Sequence, residues 1–186
     1  MSVAINLLRH GDTGQRSYRG QLDDALTDAG WTQLRTAVAG HAWDAIVSSP
    51  LQRCAAFARE LADARGLPLR LDARLAEYHF GDWQGVPIET LAQEQGGALE
   101  RFWCDPLAHP PPGAEPFEGF LARLVDACDE VAAHAAARHT LVVTHGGVIR
   151  ALRCLVEHRG YGDMAGIEVA HGSLHALAWP PHGALR

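Results

Sequence analysis

Two segments of the chain, Val3 to Arg9 and Thr140 to Thr144, are dominated by Val, Ile and Leu, the pattern of strands buried on both faces. Shorter apolar runs at Ala45-Ile46-Val47 and Leu67 to Leu71, and an alternating stretch from Ser173 to Trp179, predict three more strands. Elsewhere the apolar positions recur at helical spacing. Trp31, Leu34 and Val38 share a face behind Thr27 as N-cap, with Gly40 as the stop. Cys54, Phe57 and Leu61 share another, in a helix whose first turn is expected to hold Pro50 and Arg53. The clearest helix carries Phe120, Leu121, Leu124, Val125, Cys128, Val131 and Ala132. Val148 to Val156 predicts a helix behind Gly146-Gly147, and Pro87 to Trp103 an irregular one broken near Gly96-Gly97.

Strands alternating with helices imply an α/β fold, a three-layer sandwich whose mostly parallel sheet carries helices on both faces. No repeat or linker divides the sequence, so residues 1–186 are expected to form one domain. The polar stretch from Gly11 to Gln21 and the aromatic stretch from Tyr78 to Gly85 read as loops. The segment from Asp105 to Glu115, with Pro106, Pro110, Pro111 and Pro112 and then Pro116, predicts a lid or an edge loop.

The two most apolar strands each end on a histidine: Arg9-His10-Gly11 and Thr144-His145-Gly146-Gly147. One such histidine alone is more often a hydrogen-bonded structural residue. Open α/β sheets, however, bind ligands beyond the carboxyl ends of their strands. If these two strands are neighbours, both imidazoles face one pocket.

Composition narrows the classes. With 47% apolar residues the sequence suits a soluble globular protein, and a formal charge of −6 argues against a general nucleic-acid footprint. All sixteen basic residues are arginine, so local anion sites remain available. The four cysteines show no Cys-x-x-Cys spacing, and Cys54 and Cys128 fall on apolar helix faces as buried thiols. No apolar run is long enough for a bilayer, and the sequence opens on a strand without a signal-peptide pattern. The expectation is a cytoplasmic monomer or homodimer, without membrane or nucleic-acid partners.

These motifs resemble the histidine phosphatase superfamily, also called the phosphoglycerate mutase-like family. The resemblance extends through Leu26-Thr27-Asp28-Ala29-Gly30, Val47-Ser48-Ser49-Pro50-Leu51-Gln52-Arg53-Cys54, Leu75-Ala76-Glu77 and Phe80-Gly81-Asp82-Trp83-Gln84-Gly85. It implies a phosphoglycerate mutase-like fold and a small-molecule phosphate monoester as substrate. It also implies that His10 is a nucleophile forming a phosphohistidine and that Glu77 is the general acid and base. The chemistry agrees: a neutral imidazole is a competent nucleophile near pH 7, and a guanidinium presents a planar fork to phosphoryl oxygens. Arg9 and Arg53 are accordingly the expected phosphate clamp, with His145 bonding the phosphoryl group. Thr13, Arg19 and Gly146 are expected to add substrate contacts, and Arg16 is a further candidate. Asp12 stands where many members have Glu; its shorter side chain is expected to support the loop or to leave more room, and not to donate the proton. No metal or cofactor is expected.

Within the superfamily, Asp105-Pro106-Leu107, Pro111-Pro112-Gly113-Ala114-Glu115 and the run Thr144 to Arg150 resemble alpha-ribazole phosphatases of cobalamin assembly. Gln84, Ala114 and Pro116 depart from that subgroup. An aromatic base would suit a pocket edged by Tyr18, Phe80, Trp83 or Trp103. A broad or sugar phosphatase, a mutase-like enzyme and a phosphate-binding module without turnover remain alternatives. A metal hydrolase using His10, Asp12 and His145 is a further one, with a spacing that is not diagnostic.

Overall fold

A computed structural model describes residues 2–135, 139–181 and 183. Five strands form one sheet: β1 (Val3–Arg9), β2 (Ala45–Ser48), β3 (Leu69–Leu71), β4 (Thr140–Thr144) and β5 (Leu174–Trp179). Their order is β3-β2-β4-β1-β5, all parallel except the edge pairing of β5 to β1. The helices are α1 (Asp28–Ala37), α2 (Gln52–Arg65), α3 (Ile88–Cys104), α4 (Phe117–Ala135) and α5 (Gly146–Val156).

Strand alternation assigns the two faces. Ile5, Leu7 and Val142 point into one apolar cluster with Leu124 and Cys128 of α4 and Val148 and Leu152 of α5. Leu8, Leu141 and Val143 point the other way, onto Leu34 of α1 and Phe57 and Leu61 of α2. Apolar burial on both faces is why these strands read as nearly continuous hydrophobic runs. The resulting architecture is the three-layer α/β sandwich.

Several boundaries differ from the sequence reading, each for a local reason. Helix α2 starts at Gln52, leaving Pro50 ahead of the Leu51 N-cap rather than in the first turn. Helix α3 breaks at Gln95 (φ −133°, ψ 25°), just before the glycine pair, and Gly96-Gly97 continue the helix. Helix α5 starts at Gly146, two residues earlier than Val148, so both glycines lie in its first turn. Short 3-10 turns at Ala73–Leu75, Gly81–Trp83 and Tyr161–Gly166 had no periodic signal. Thr27 is the N-cap of α1, its hydroxyl accepting from Gly30 N.

The proline-rich segment is an edge loop. Pro112 O accepts from Asp82 N at 2.9 Å, Glu115 O accepts from Tyr78 Oη at 2.8 Å, and Glu115 N donates to His79 O at 3.1 Å. It thus braces the 77–82 loop from outside. Among the described residues, no helix is long and apolar enough to cross a membrane.

Candidate active site

Strands β1 and β4 are parallel neighbours with Arg9 opposite Thr144, so they end together. His10 N donates to Thr144 O at 2.9 Å, and the His10 and His145 ring centroids lie 5.3 Å apart. The His10 loop can pass closely over α1 because Gly11 and Gly30 both lack a Cβ. One added to Gly11 would lie 2.2 Å from Gly30 O, and one added to Gly30 would lie 2.3 Å from Asp12 O.

A cavity of about 630 Å³ opens at this end of the sheet, within the usual range for small-molecule sites. Arg9, His10, Thr13, Arg19, Arg53, Glu77 and Gly146 line it. His145 lies behind this wall, fully buried, with Nε2 2.7 Å from Ser49 Oγ. Arg16 lines the cavity too, whereas Asp12 and the 105–116 segment are absent from the described lining.

His10 Nδ1 lies 2.7 Å from Gly11 O. A carbonyl only accepts, so Nδ1 carries the proton and the neutral ring keeps its lone pair on Nε2. Burial, reinforced by the Arg53 charge, holds His10 well below the ordinary histidine pKa. Burial and Arg53 act on His145 in the same direction. Both rings are therefore neutral at pH 7 in the unliganded site.

The arginines are held by backbone oxygen. Arg53, 1% exposed, donates Nη1 to Leu22 O and Nη2 to Gly20 O, both at 2.6 Å. Arg9 donates Nη1 to Val169 O and Nη2 to His171 Nε2, the latter at 2.9 Å. The Nε of each is buried with no hydrogen-bond partner among the described residues. Burial, opposed by the Glu77 charge, brings Arg9 down to about 10, so it stays cationic at neutral pH. Two guanidinium groups lining one cavity with a histidine suit an anion with several acceptor oxygens.

Glu77 is fixed by backbone: Oε1 accepts from Tyr78 N and Oε2 from Gly147 N, each at 3.0 Å. Asp12 instead supports its loop, accepting from Thr27 Oγ1 at 2.8 Å and Gly14 N at 3.1 Å. These bonds, the Thr27 one first, lower its pKa. Arg19 forms a bidentate pair with Asp24 at 2.7 Å per bond and donates its Nη1 to Ser17 Oγ, so its guanidinium closes the loop as well as facing the cavity. Among the described residues, no group of three or more His, Cys, Asp or Glu side chains is placed to hold a metal.

Residues 5–185 match the family model described as Histidine phosphatase superfamily (branch 1). The chain belongs to this superfamily. It is 34% identical over 186 residues to a bifunctional protein of Mycobacterium tuberculosis, covering 96% of this chain and 50% of that protein. The chain thus spans about half the length of these mycobacterial relatives. It is 31% identical over 153 residues to the adenosylcobalamin/alpha-ribazole phosphatase of Escherichia coli, covering 78% of this chain and 75% of that one. A mycobacterial glucosyl-3-phosphoglycerate phosphatase, in its complex with VO3, has a TM-score of 0.84 and 29% identity, with 95% of this chain and 91% of that chain covered.

In this histidine phosphatase superfamily member, His171 and Arg150 are among the cavity residues that the sequence did not single out. His171 comes within 5.4 Å of the His10 ring, from the loop before β5, where Gly172 N donates to His10 O at 3.2 Å. Burial, with the Arg9 charge, lowers its pKa and keeps Nε2 an acceptor for Arg9. Arg150 of α5 lines the cavity one turn beyond Gly146 and donates its Nε to Ile167 O at 2.9 Å. Of the four aromatics singled out in sequence, Tyr18, Phe80 and Trp103 line the cavity; Trp83 is 1% exposed in the core.

Proposed function

We propose that this chain hydrolyses small phosphate monoesters through a phosphohistidine on His10. The observation that carries this reading is the His10 tautomer: Nδ1–H is committed to Gly11 O, which leaves Nε2 as the nucleophile on a cavity that Arg9 and Arg53 also line. Nε2 attacks phosphorus and the ester P–O bond breaks. Glu77 delivers a proton to the departing oxygen, releasing the alcohol. Glu77 then takes a proton from water, the resulting hydroxide attacks phosphorus, and the P–N bond breaks to give inorganic phosphate and neutral His10.

Arg9 and Arg53 bind the phosphoryl oxygens, and their charge offsets the negative charge that builds in the transition state. His145, held by Ser49, backs His10. Thr13 and Gly146 complete the phosphate end. The presence of Glu77 and His10 on one cavity favours turnover over a module that only binds phosphate.

For the substrate we propose alpha-ribazole 5′-phosphate, an ester with an aromatic base. Tyr18 stacks on Phe80 at 4.7 Å, and Trp103 Nε1 donates to Tyr18 Oη at 2.8 Å, so the three rings give one side of the cavity a fixed aromatic wall. The similarity to the E. coli enzyme supports this choice. A sugar-acid phosphate is the second reading, favoured by Arg16, Arg150 and Glu89 on the same cavity and by the similarity to the glucosyl-3-phosphoglycerate enzyme. The free thiols Cys54, Cys104, Cys128 and Cys154 support a reducing compartment such as the cytoplasm.

The test is phosphate release from alpha-ribazole 5′-phosphate, 3-phosphoglycerate and 4-nitrophenyl phosphate by the wild type and His10→Ala in chelator. A His10-dependent preference for the ribazole ester supports the reading in full. Weak release spread over all three overturns the substrate, and no release overturns the activity.

A further inference from the structure

Arg123 lies in α4 and is absent from the described lining of the cavity, yet three of its five N–H donors go to the segment that carries Glu77 and the other two to Glu115. Its Nη1 donates to Arg74 O and Ala76 O, both at 2.6 Å. Its Nη2 donates to Glu77 O at 3.0 Å and to Glu115 Oε1 at 2.7 Å, and Nε donates to Glu115 Oε2 at 3.1 Å. A guanidinium has five donors, so none is left over. The Phe120 ring packs 4.8 Å from its central carbon.

Glu115 extends the clamp to the other flank of Glu77. The same Oε1 that pairs with Arg123 accepts from His79 N at 2.8 Å. One ion pair thus fixes three carbonyls at 74, 76 and 77 and the N–H at 79. Residues 76–80 have no helix or strand ladder of their own. The Arg123–Glu115 pair takes the place that regular structure would fill. The carboxyl of Glu77 is aimed from this backbone, with Gly147 N and Tyr78 N fixing its oxygens.

We propose that Arg123, acting with Glu115, is a positioning residue for proton transfer by Glu77; this rests on the reading of Glu77 as proton donor given above. Up to the phosphohistidine, the part of the reaction that kcat/KM reads, a misplaced carboxyl costs rate only where the leaving oxygen needs a proton, whereas the later attack of water is common to both esters. An alkoxide needs one, whereas a nitrophenolate leaves as the anion. Loss of the clamp is therefore expected to separate the two kinds of ester, which general loosening of the fold does not do.

The experiment measures kcat/KM for ribose 5-phosphate and 4-nitrophenyl phosphate with wild type, Glu77→Gln, Arg123→Lys and Glu115→Gln. Inhibition by inorganic phosphate and thermal melting report the phosphate end and the fold. Glu77→Gln is expected to lose about 100-fold or more on the alkyl ester and less than about 10-fold on the aryl ester. Arg123→Lys is expected to reproduce that split, with about a 10-fold alkyl loss and the aryl ester and phosphate inhibition within about 2-fold. Glu115→Gln keeps the three backbone bonds of Arg123 and is expected to show the same split at smaller size. If Glu77→Gln splits the esters and neither clamp variant does, the inference is overturned while Glu77 keeps its role. If Glu77→Gln shows no split, the proton-donor reading falls and the inference falls with it.

Discussion

The backbone of Gly147 is seated directly on the carboxyl of Glu77. Its N–H donates to Oε2 at 3.0 Å, and a Cβ at this position would lie 2.4 Å from Oε1. The first turn of α5 therefore holds the carboxyl from one side, in a space only glycine leaves open.

Gly147→Ala tests this contact. The methyl group meets the far end of a side chain, which moves at little cost to the fold, so the melting temperature is expected to stay within about 3 °C of wild type. Turnover of an alkyl phosphate is expected to drop by about 10-fold or more as the carboxyl is displaced. Steady-state kinetics and a melting curve on the same sample check both. Unchanged turnover would show that Glu77 need not sit where Gly147 holds it.

Arg53 is buried, lines the cavity and donates to two loop carbonyls, Leu22 O and Gly20 O. Lysine keeps the charge but offers no planar fork, so Arg53→Lys is expected to raise the inhibition constant for phosphate by about 10-fold or more. It is also expected to loosen the 20–22 loop, at a cost of about 1–3 kcal/mol from the two carbonyls it leaves poorly satisfied. Phosphate should raise the melting temperature of the wild type and do so much less for this variant. Equal phosphate stabilisation of both proteins contradicts the clamp.

The buried histidines set a pH dependence. His10 and His145 have folded-state pKa values held well below the ordinary 6.5. The unfolded chain therefore takes up protons near pH 6.5 that the folded chain refuses. Their contribution to stability is complete above that pH and is lost on acidification towards the depressed values, at about 1.4 kcal/mol per pH unit for each ring. Between pH 6.5 and 5 the slope lies above the carboxylate range, where Asp12, Asp72, Glu60 and Glu130 act. Urea unfolding in phosphate-free buffer is expected to show the loss, with a shallower slope for His10→Asn. A flat profile over this window contradicts neutral burial of the two rings.

The strands that position these histidines were legible because burial on both faces leaves a continuous apolar run. Their adjacency was an inference from fold class, since no residue in β1 records that β4 lies beside it. His171 was illegible for a related reason: it reaches His10 through the antiparallel pairing of β5 with β1, from far along the chain. Arg123 sits within the most regular helix of the sequence, where a polar position reads as solvent-facing. Its bonds to the 74–77 carbonyls depend on how α4 packs. Trp83 and Trp103 are alike in composition, yet one is core and the other cavity wall. That distinction arises from α3 packing, with Trp83 bonded through Nε1 to Gln95 Oε1 at the helix break. Glu77 stood out only through its family motif, because a lone glutamate carries no periodic signal.

The most direct test of the account is to trap the intermediate. The wild type would be mixed with a 4-nitrophenyl ester bearing labelled phosphate, quenched in alkali within milliseconds, digested, and the labelled peptide sequenced by mass spectrometry. The account predicts phosphate on Nε2 of His10, formed and lost at rates compatible with turnover and absent from His10→Ala. Steady release of phosphate with no label on His10, or with label on His145 or His171 instead, would contradict it.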